Sequence, residues 1–349
     1  MKAGIFQGKG TIEVQEVADP TIQNSDEAIV DVTYSCVCGS DLWFYRGISP
    51  RDSGTPIGHE FMGTVSAIGE DVTAIKVGDL VIAPFTTADG TCPECSVGMS
   101  IACRQRHGWG SNGYDGGQGQ KVRVPTADGT LFVVPKDQIR DDLMPALLPL
   151  TDVLCTGHHA AVCAYVGPGK TVAVIGDGAV GLCGVAASKR LGAKRIILLS
   201  THADRAEVGT QFGATDIVNA RGDDAIAQVK ALTEDLGVDC VLESVGMKSA
   251  WDTAFGIVRA GGNIGFVGVP NDPDIQDIAL KDLFGKSVGI KGGGAPAASY
   301  IPELLPDVLS GKLDVSAIFT KTFSLDELPE AYKAMDERSA IKSMLHPVH

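Results

Sequence analysis

An apolar run that ends in spaced glycines places the strongest constraint on what this chain can fold into. In "KTVAVIGDGAVGLCGVAASKRLG", residues 170–192, Gly176, Gly178 and Gly181 keep the G-x-G-x-x-G spacing directly after a strand-like run and at the start of a helix-like one. In that context the first glycine permits a tight turn and the second lets backbone N–H groups approach a pyrophosphate. The third lets helix and strand pack closely. The helix N-terminus adds favourable charge for the anion. The spacing predicts a dinucleotide site built on Gly176, Gly178, Ala179, Val180 and Gly181.

The next strand bears on which dinucleotide binds. An NAD-specific site carries Asp or Glu about 20 residues on, bonded to the ribose 2′-hydroxyl. Here that strand ends "IILLSTHADR", so Ser200, Thr201 and His202 occupy its end, with Arg205 just beyond and Arg221 further along. These groups can donate to a 2′-phosphate, which a carboxylate would repel. NADP(H) is the expected cofactor, and Asp204 keeps NAD open as the alternative.

The rest of the chain changes rhythm around this motif. After residue 155, "KTVAVIG", "KRIILLS", "VDCVLESVG", "GGNIGFVGV" and "KSVGIKG" are apolar runs of strand length, the first ones separated by helix-length stretches. That alternation predicts a parallel sheet covered on both faces. Before it, "EAIVDVTYSCVC", "GTVSAIG" and "DLVIAPF" are short β-rich runs punctuated by Gly, Pro and Asp. After residue 291, "AASYIPELLPDVLSGKLD" reads as helical despite its prolines, and Ser324 is a plausible N-cap for "SLDELPEAYKAMDE". A chain of 349 residues exceeds what one core usually serves. The expected division is 1–154 with 292–349 around an inserted nucleotide domain, 155–291.

Composition excludes several classes. With 44% hydrophobic and 21% charged residues, and no apolar run of membrane-spanning length, a globular soluble chain is expected. "MKAGIFQGKGTIEV" does not resemble a signal peptide, which makes the cytoplasm the expected compartment. A formal charge of −14 argues against nucleic-acid or anionic-membrane partners. Nine cysteines are present, and Cys36, Cys155, Cys163, Cys183 and Cys240 lie scattered in apolar sequence as buried thiols would. Cys92, Cys95 and Cys103 are packed closely and read as metal ligands in a reducing compartment. Three thiols do not close a tetrahedral zinc site, so a fourth partner is needed.

"CVCGSDLWFYRG" and "GHEFMGTVSAIGEDV" carry a resemblance over nearly the whole chain. His59 and Glu60 in G-H-E-x-x-G, followed by Gly69 and Val72, resemble the signature of the zinc-containing alcohol dehydrogenases of the medium-chain dehydrogenase/reductase family. The resemblance implies an α/β protein. It would combine a GroES-like, mostly-β catalytic domain with a Rossmann domain of doubly wound parallel sheet, and hold a zinc in the cleft between them. Cys38 matches the first catalytic zinc ligand and His59 the second. Where many members carry a cysteine, "LTDVLCTG" places Asp152, as in an NADP-dependent branch with an aspartate ligand; Cys155 is the fallback. Three protein ligands leave zinc's fourth position open for a substrate oxygen.

Other positions follow from the same resemblance. Glu60 and Asp41 are expected to support the ligands or exchange with the metal. Ser40 matches the hydroxyl that hands the substrate proton towards solvent. Trp43 replaces the histidine that ends this relay in many members, and is expected to line the substrate pocket, with Trp109. In the family's structural-zinc lobe the position three before Cys92 falls on Asp89, the candidate fourth ligand, with His107 as the rival. His158 and His159 read as packing or cofactor-adjacent, and His346 and His349 as terminal. The expected activity is hydride transfer between NADP(H) and an alcohol, aldehyde or ketone by a homodimer or homotetramer. Sugar, polyol or threonine dehydrogenases, a zinc-free quinone reductase, and a non-catalytic NADPH sensor are the competing readings.

Overall fold

A computed structural model describes residues 1–111, 113–276 and 280–347. By contacts the chain divides into two compact units, Met1–Asp152 with Pro296–His349, and Val153–Ala295.

The first unit opens with an antiparallel pair, β1 (Lys2–Gly8) and β2 (Thr11–Glu16). Next comes β3 (Ala28–Cys36), then β4 (Thr55–Pro56), which joins β1, and then β5 (Phe61–Ile68), β6 (Leu80–Ala83), β7 (Lys121–Val124) and β8 (Phe132–Val133). The shortest of these, β4, β6, β7 and β8, each contain a proline or stop within two residues of one. Phe61, Val81, Val122 and Trp109 share one core with Val30 and Val32 of β3.

The second unit is the parallel sheet expected from the strand and helix rhythm. Its strands are β9 (Thr171–Ile175), β10 (Arg195–Leu199), β11 (Asp216–Val218), β12 (Val238–Glu243), β13 (Val258–Phe266) and β14 (Gly289–Gly292). They lie in the order β11-β10-β9-β12-β13-β14, every pairing parallel, which is the Rossmann order with β9 as first strand. Val172, Ala173 and Val174 are fully buried, as strands covered on both faces require. The three-residue β11 carries too few residues to show a period, and the sequence reading misses it.

The chain then returns to the first unit. A helix spans Ala297–Leu309 with Pro302 and Pro306 inside it. Ser324 forms a capping box with Glu327, which opens a 3-10 turn before the helix Leu328–Asp336. β15 (Phe319–Ser324) runs parallel to β16 (Lys342–His346), which pairs antiparallel with β3. This seats the C-terminal strand beside Cys36 and completes the order β15-β16-β3-β5-β6-β8. No helix among the described residues is long and apolar enough to cross a membrane.

Candidate functional site

In the first unit, one ligand atom each from Cys38, His59, Glu60 and Asp152 lies within 4.8 Å of the others. Cys38 follows the end of β3, His59 and Glu60 precede β5, and Asp152 ends the 3-10 turn Leu148–Thr151. The Thr151 carbonyl accepts from the Phe85 amide at 2.9 Å, anchoring that turn. Asp152 Oδ2 stands 3.6 Å from Cys38 Sγ and 3.3 Å from His59 Nε2. A thiol, an imidazole and carboxylates converging on one point are the donor chemistry of zinc.

The surroundings hold these donors in place. Asp41 Oδ1 is 3.3 Å from His59 Nδ1, which leaves Nε2 as the ring atom facing Asp152. Burial pushes the Asp41 carboxyl up, but His59 and the Cys38 amide outweigh it and bring it below the ordinary value. Burial likewise pushes the His59 imidazole down, and Asp41 and Cys38 reverse that and carry it well above its ordinary value. Gln118 donates to Asp41 at 3.3 Å and accepts from the Tyr332 hydroxyl at 2.9 Å. Ser40 is exposed, with its amide donating to Cys38 Sγ at 3.5 Å.

Lys342 on β16 was not singled out from the sequence. Its Nζ lies 2.6 Å from Glu60 Oε1 and donates to the Val37 carbonyl at 3.1 Å, with both charged side chains essentially inaccessible. Burial pulls the ammonium down, while Cys36 and Glu60 hold it well above its ordinary value. The signal available was a lone charged residue in the otherwise uncharged stretch "AIKSML".

A second group forms in the loop 89–103. Asp89, Cys92, Cys95 and Cys103 also bring ligand atoms within 4.8 Å of one another. Cys92 caps the short helix Pro93–Ser96, and Asp89 Oδ1 accepts from the amides of Thr91 and Cys92 at 2.8 and 2.9 Å. Burial raises the Asp89 carboxyl, yet these amides prevail and hold it at about 2. His107 packs its ring against Tyr114 instead, centroids 4.6 Å apart.

The nucleotide motif lies in the second unit. Gly176 turns the chain after β9 with φ +109°, and Gly178 is the N-cap of the helix Ala179–Arg190, which holds Ala179, Val180 and Gly181 in its first turn. A side chain at Gly178 would meet nothing within 4 Å, so the backbone there borders open space that an anion can enter. Ser200, Thr201 and His202 follow β10 as expected, and Arg221 Nη2 donates to Thr201 Oγ1 at 2.9 Å. Asp177, inside the glycine motif, was overlooked. Its carboxylate accepts from Ser200 Oγ at 2.7 Å, contacts His202 Nδ1 at 2.7 Å and pairs with Arg205 at 3.4 Å. A charged residue between the first two glycines was the available signal.

The structure places the remaining candidates as follows. Trp109 is 5% exposed, packs edge-on against Phe61, and donates its indole N–H to the Pro84 carbonyl. Trp43 remains half-buried on the helix Asp41–Tyr45. Asp152, and not Cys155, belongs to the donor group; Cys155 is buried in the helix Val153–Cys163. His158 and His159 are buried in that helix too. His346 is part of β16, its ring 4.6 Å from Tyr34, and His349 lies outside the described residues.

Comparison with known proteins gives a consistent picture. A model of the alcohol dehydrogenase GroES-like domain matches residues 24–136, and one of zinc-binding dehydrogenases matches residues 179–310. The chain is 34% identical to a probable zinc-binding alcohol dehydrogenase of Mycobacterium tuberculosis, covering 97% of this chain and 86% of that protein. A sorbitol dehydrogenase of Bacillus subtilis is 30% identical, with 99% of this chain and 97% of that protein covered. Among solved structures, the alcohol dehydrogenase TADH from Thermus sp. ATN1 matches with a TM-score of 0.90 at 32% identity over 99% of each chain. The chain therefore belongs to the zinc-containing alcohol dehydrogenase family of medium-chain dehydrogenases/reductases.

Proposed function

We propose that this chain is an NADP(H)-linked alcohol dehydrogenase or carbonyl reductase whose catalytic zinc is held by Cys38, His59 and Asp152. The observation that carries the reading is the convergence of those donors with Glu60 inside 4.8 Å. Zinc there supplies Lewis acidity towards an alcohol or carbonyl oxygen. The nicotinamide carries the hydride. Asp41 fixes the His59 ring, and Lys342 neutralises Glu60, which leaves the other three donors as the ligand set and a fourth position for substrate. Exposed Ser40, two residues past Cys38, is suited to pass the substrate proton towards solvent. Asp89, Cys92, Cys95 and Cys103 are assigned to a structural zinc.

The NADP(H) preference rests on Ser200 in place of a strand-end carboxylate and on the basic groups His202, Arg205 and Arg221; the Asp177 carboxylate, which engages Ser200, His202 and Arg205, works against it. A polyol substrate is the second reading, supported by the sorbitol dehydrogenase relative. The test is metal content and steady-state kinetics of the purified protein. About two zincs per chain and chelator-sensitive turnover of an alcohol panel, with NADP favoured over NAD, are expected. Absence of chelator-sensitive turnover removes the catalytic assignment; a preference for NAD of tenfold or more removes the cofactor assignment.

A further inference from the structure

Three of the groups that the sequence offers to a 2′-phosphate already face an anion of the protein itself. Ser200 Oγ donates to Asp177 Oδ2, His202 Nδ1 touches the same oxygen, and Arg205 Nη1 reaches Asp177 Oδ1. The Asp177 and Arg205 side chains are only 14% and 12% exposed, so the pair is weakly screened. Burial raises the Asp177 carboxyl, but His202, Ser200 and Arg205 outweigh it and lower it, which keeps the group ionised near neutral pH. Thr201 and Arg221 bond to each other outside this cluster.

Dinucleotide sites of this fold discriminate through a carboxylate at the end of the second strand. Ser200 holds that place here, and a carboxylate reaches it through space from a residue 23 positions earlier. A ribose 2′-hydroxyl at this place would find an acceptor in Asp177. A 2′-phosphate would meet a like charge and would have to compete for His202 and Arg205.

We propose that Asp177 is the specificity-determining residue of the nucleotide site, its carboxylate opposing 2′-phosphorylated dinucleotides by engaging Ser200, His202 and Arg205. The proposal rests on reading residues 176–205 as the dinucleotide site, and holds whichever dinucleotide the unmodified protein prefers. Removing the charge frees the Arg205 guanidinium and the His202 ring for the phosphate while sparing the glycine turn.

The test uses titration calorimetry of the zinc-loaded protein with NAD, NADP, 5′-AMP and 2′,5′-ADP, for the unmodified chain, Asp177→Asn and Asp177→Ser. Both variants should shift the affinity ratio towards the 2′-phosphorylated ligand of each pair by about tenfold or more, the scale of one close charge near a protein surface. Weakening of both members of each pair by the same factor would reduce Asp177 to a staple of the turn and overturn the proposal, as would an unchanged ratio. If the unmodified protein binds none of the four ligands, the nucleotide-site reading itself fails and the proposal with it. The serine variant, which keeps a small polar group, provides the answer if asparagine disturbs folding.

Discussion

The two donor groups of the first unit present similar chemistry in opposite settings. In the loop group, Asp89 and Cys103 are 14 residues apart in sequence; in the other, Cys38 and Asp152 are separated by 114. Asp89 and its neighbours are held by local amides, whereas the second group needs the end of β3, the start of β5, the turn before Asp152 and Lys342 of β16. A group closed by local bonds can form or melt without the sheet. A group assembled from distant segments exists only when the unit has folded, and removing one buried charge there leaves another without its partner. The loop group should therefore report on local stability and the buried group on chemistry.

The largest expected effect comes from removing a buried donor. His59→Ala or Cys38→Ser should lower kcat/KM by on the order of a thousandfold, comparable to the loss of a strong transition-state stabiliser, and remove one zinc per chain by elemental analysis. Circular dichroism should stay native. Full activity in either variant would break the comparison at its first step.

Next in size is Lys342→Met, which strands the Glu60 carboxylate. Urea unfolding should show a loss of about 3–5 kcal/mol, the usual cost of breaking one side of a buried pair. Lys342→Arg, which keeps the charge, should lose less.

A smaller change is expected from Cys95→Ser in the loop. It should remove the other zinc, lower the Tm and open the segment 92–103 to proteolysis while leaving kcat/KM nearly unaltered. Loss of turnover with native protease resistance would reverse the roles assigned to the two groups.

The smallest effect calibrates the others with a buried pair that touches neither group. Glu27 Oε1 lies 2.7 Å from Arg123 Nη1 and the carboxylate also accepts from the amides of Gln23 and Asn24. Burial raises the Glu27 carboxyl, and these bonds with Arg123 more than reverse it, so its folded value is lowered. A lowered carboxyl stabilises the fold above its unfolded value, near 4.3, and that stability is lost as pH falls through the folded value. Glu27→Gln should cost about 1–3 kcal/mol at pH 7 and flatten the acid limb of a stability profile below about pH 4. An unchanged acid limb would show that the pair contributes no pH-dependent stability.

Much of this was legible in the chain itself because the determinants are local. The glycine spacing at 176–181, the strand and helix rhythm after it, and the N-cap at Ser324 each lie within a few residues. The close spacing of Cys92, Cys95 and Cys103 pointed to the group that the structure gathers with Asp89, and G-H-E at 58–60 with Cys38 and Asp152 carried the family resemblance. Tertiary structure decided the rest, since contacts between residues far apart in sequence leave no period to read. Nothing near Lys342 indicates that it meets Glu60, 282 residues away, and nothing near Asp177 indicates that its carboxylate reaches Ser200 and His202. Nor does anything near Trp109 indicate that its ring meets Phe61 and its indole N–H the Pro84 carbonyl. Local backbone chemistry is written in neighbouring residues; the partner of a buried charge is chosen only when packing brings distant segments together and excludes water from between them.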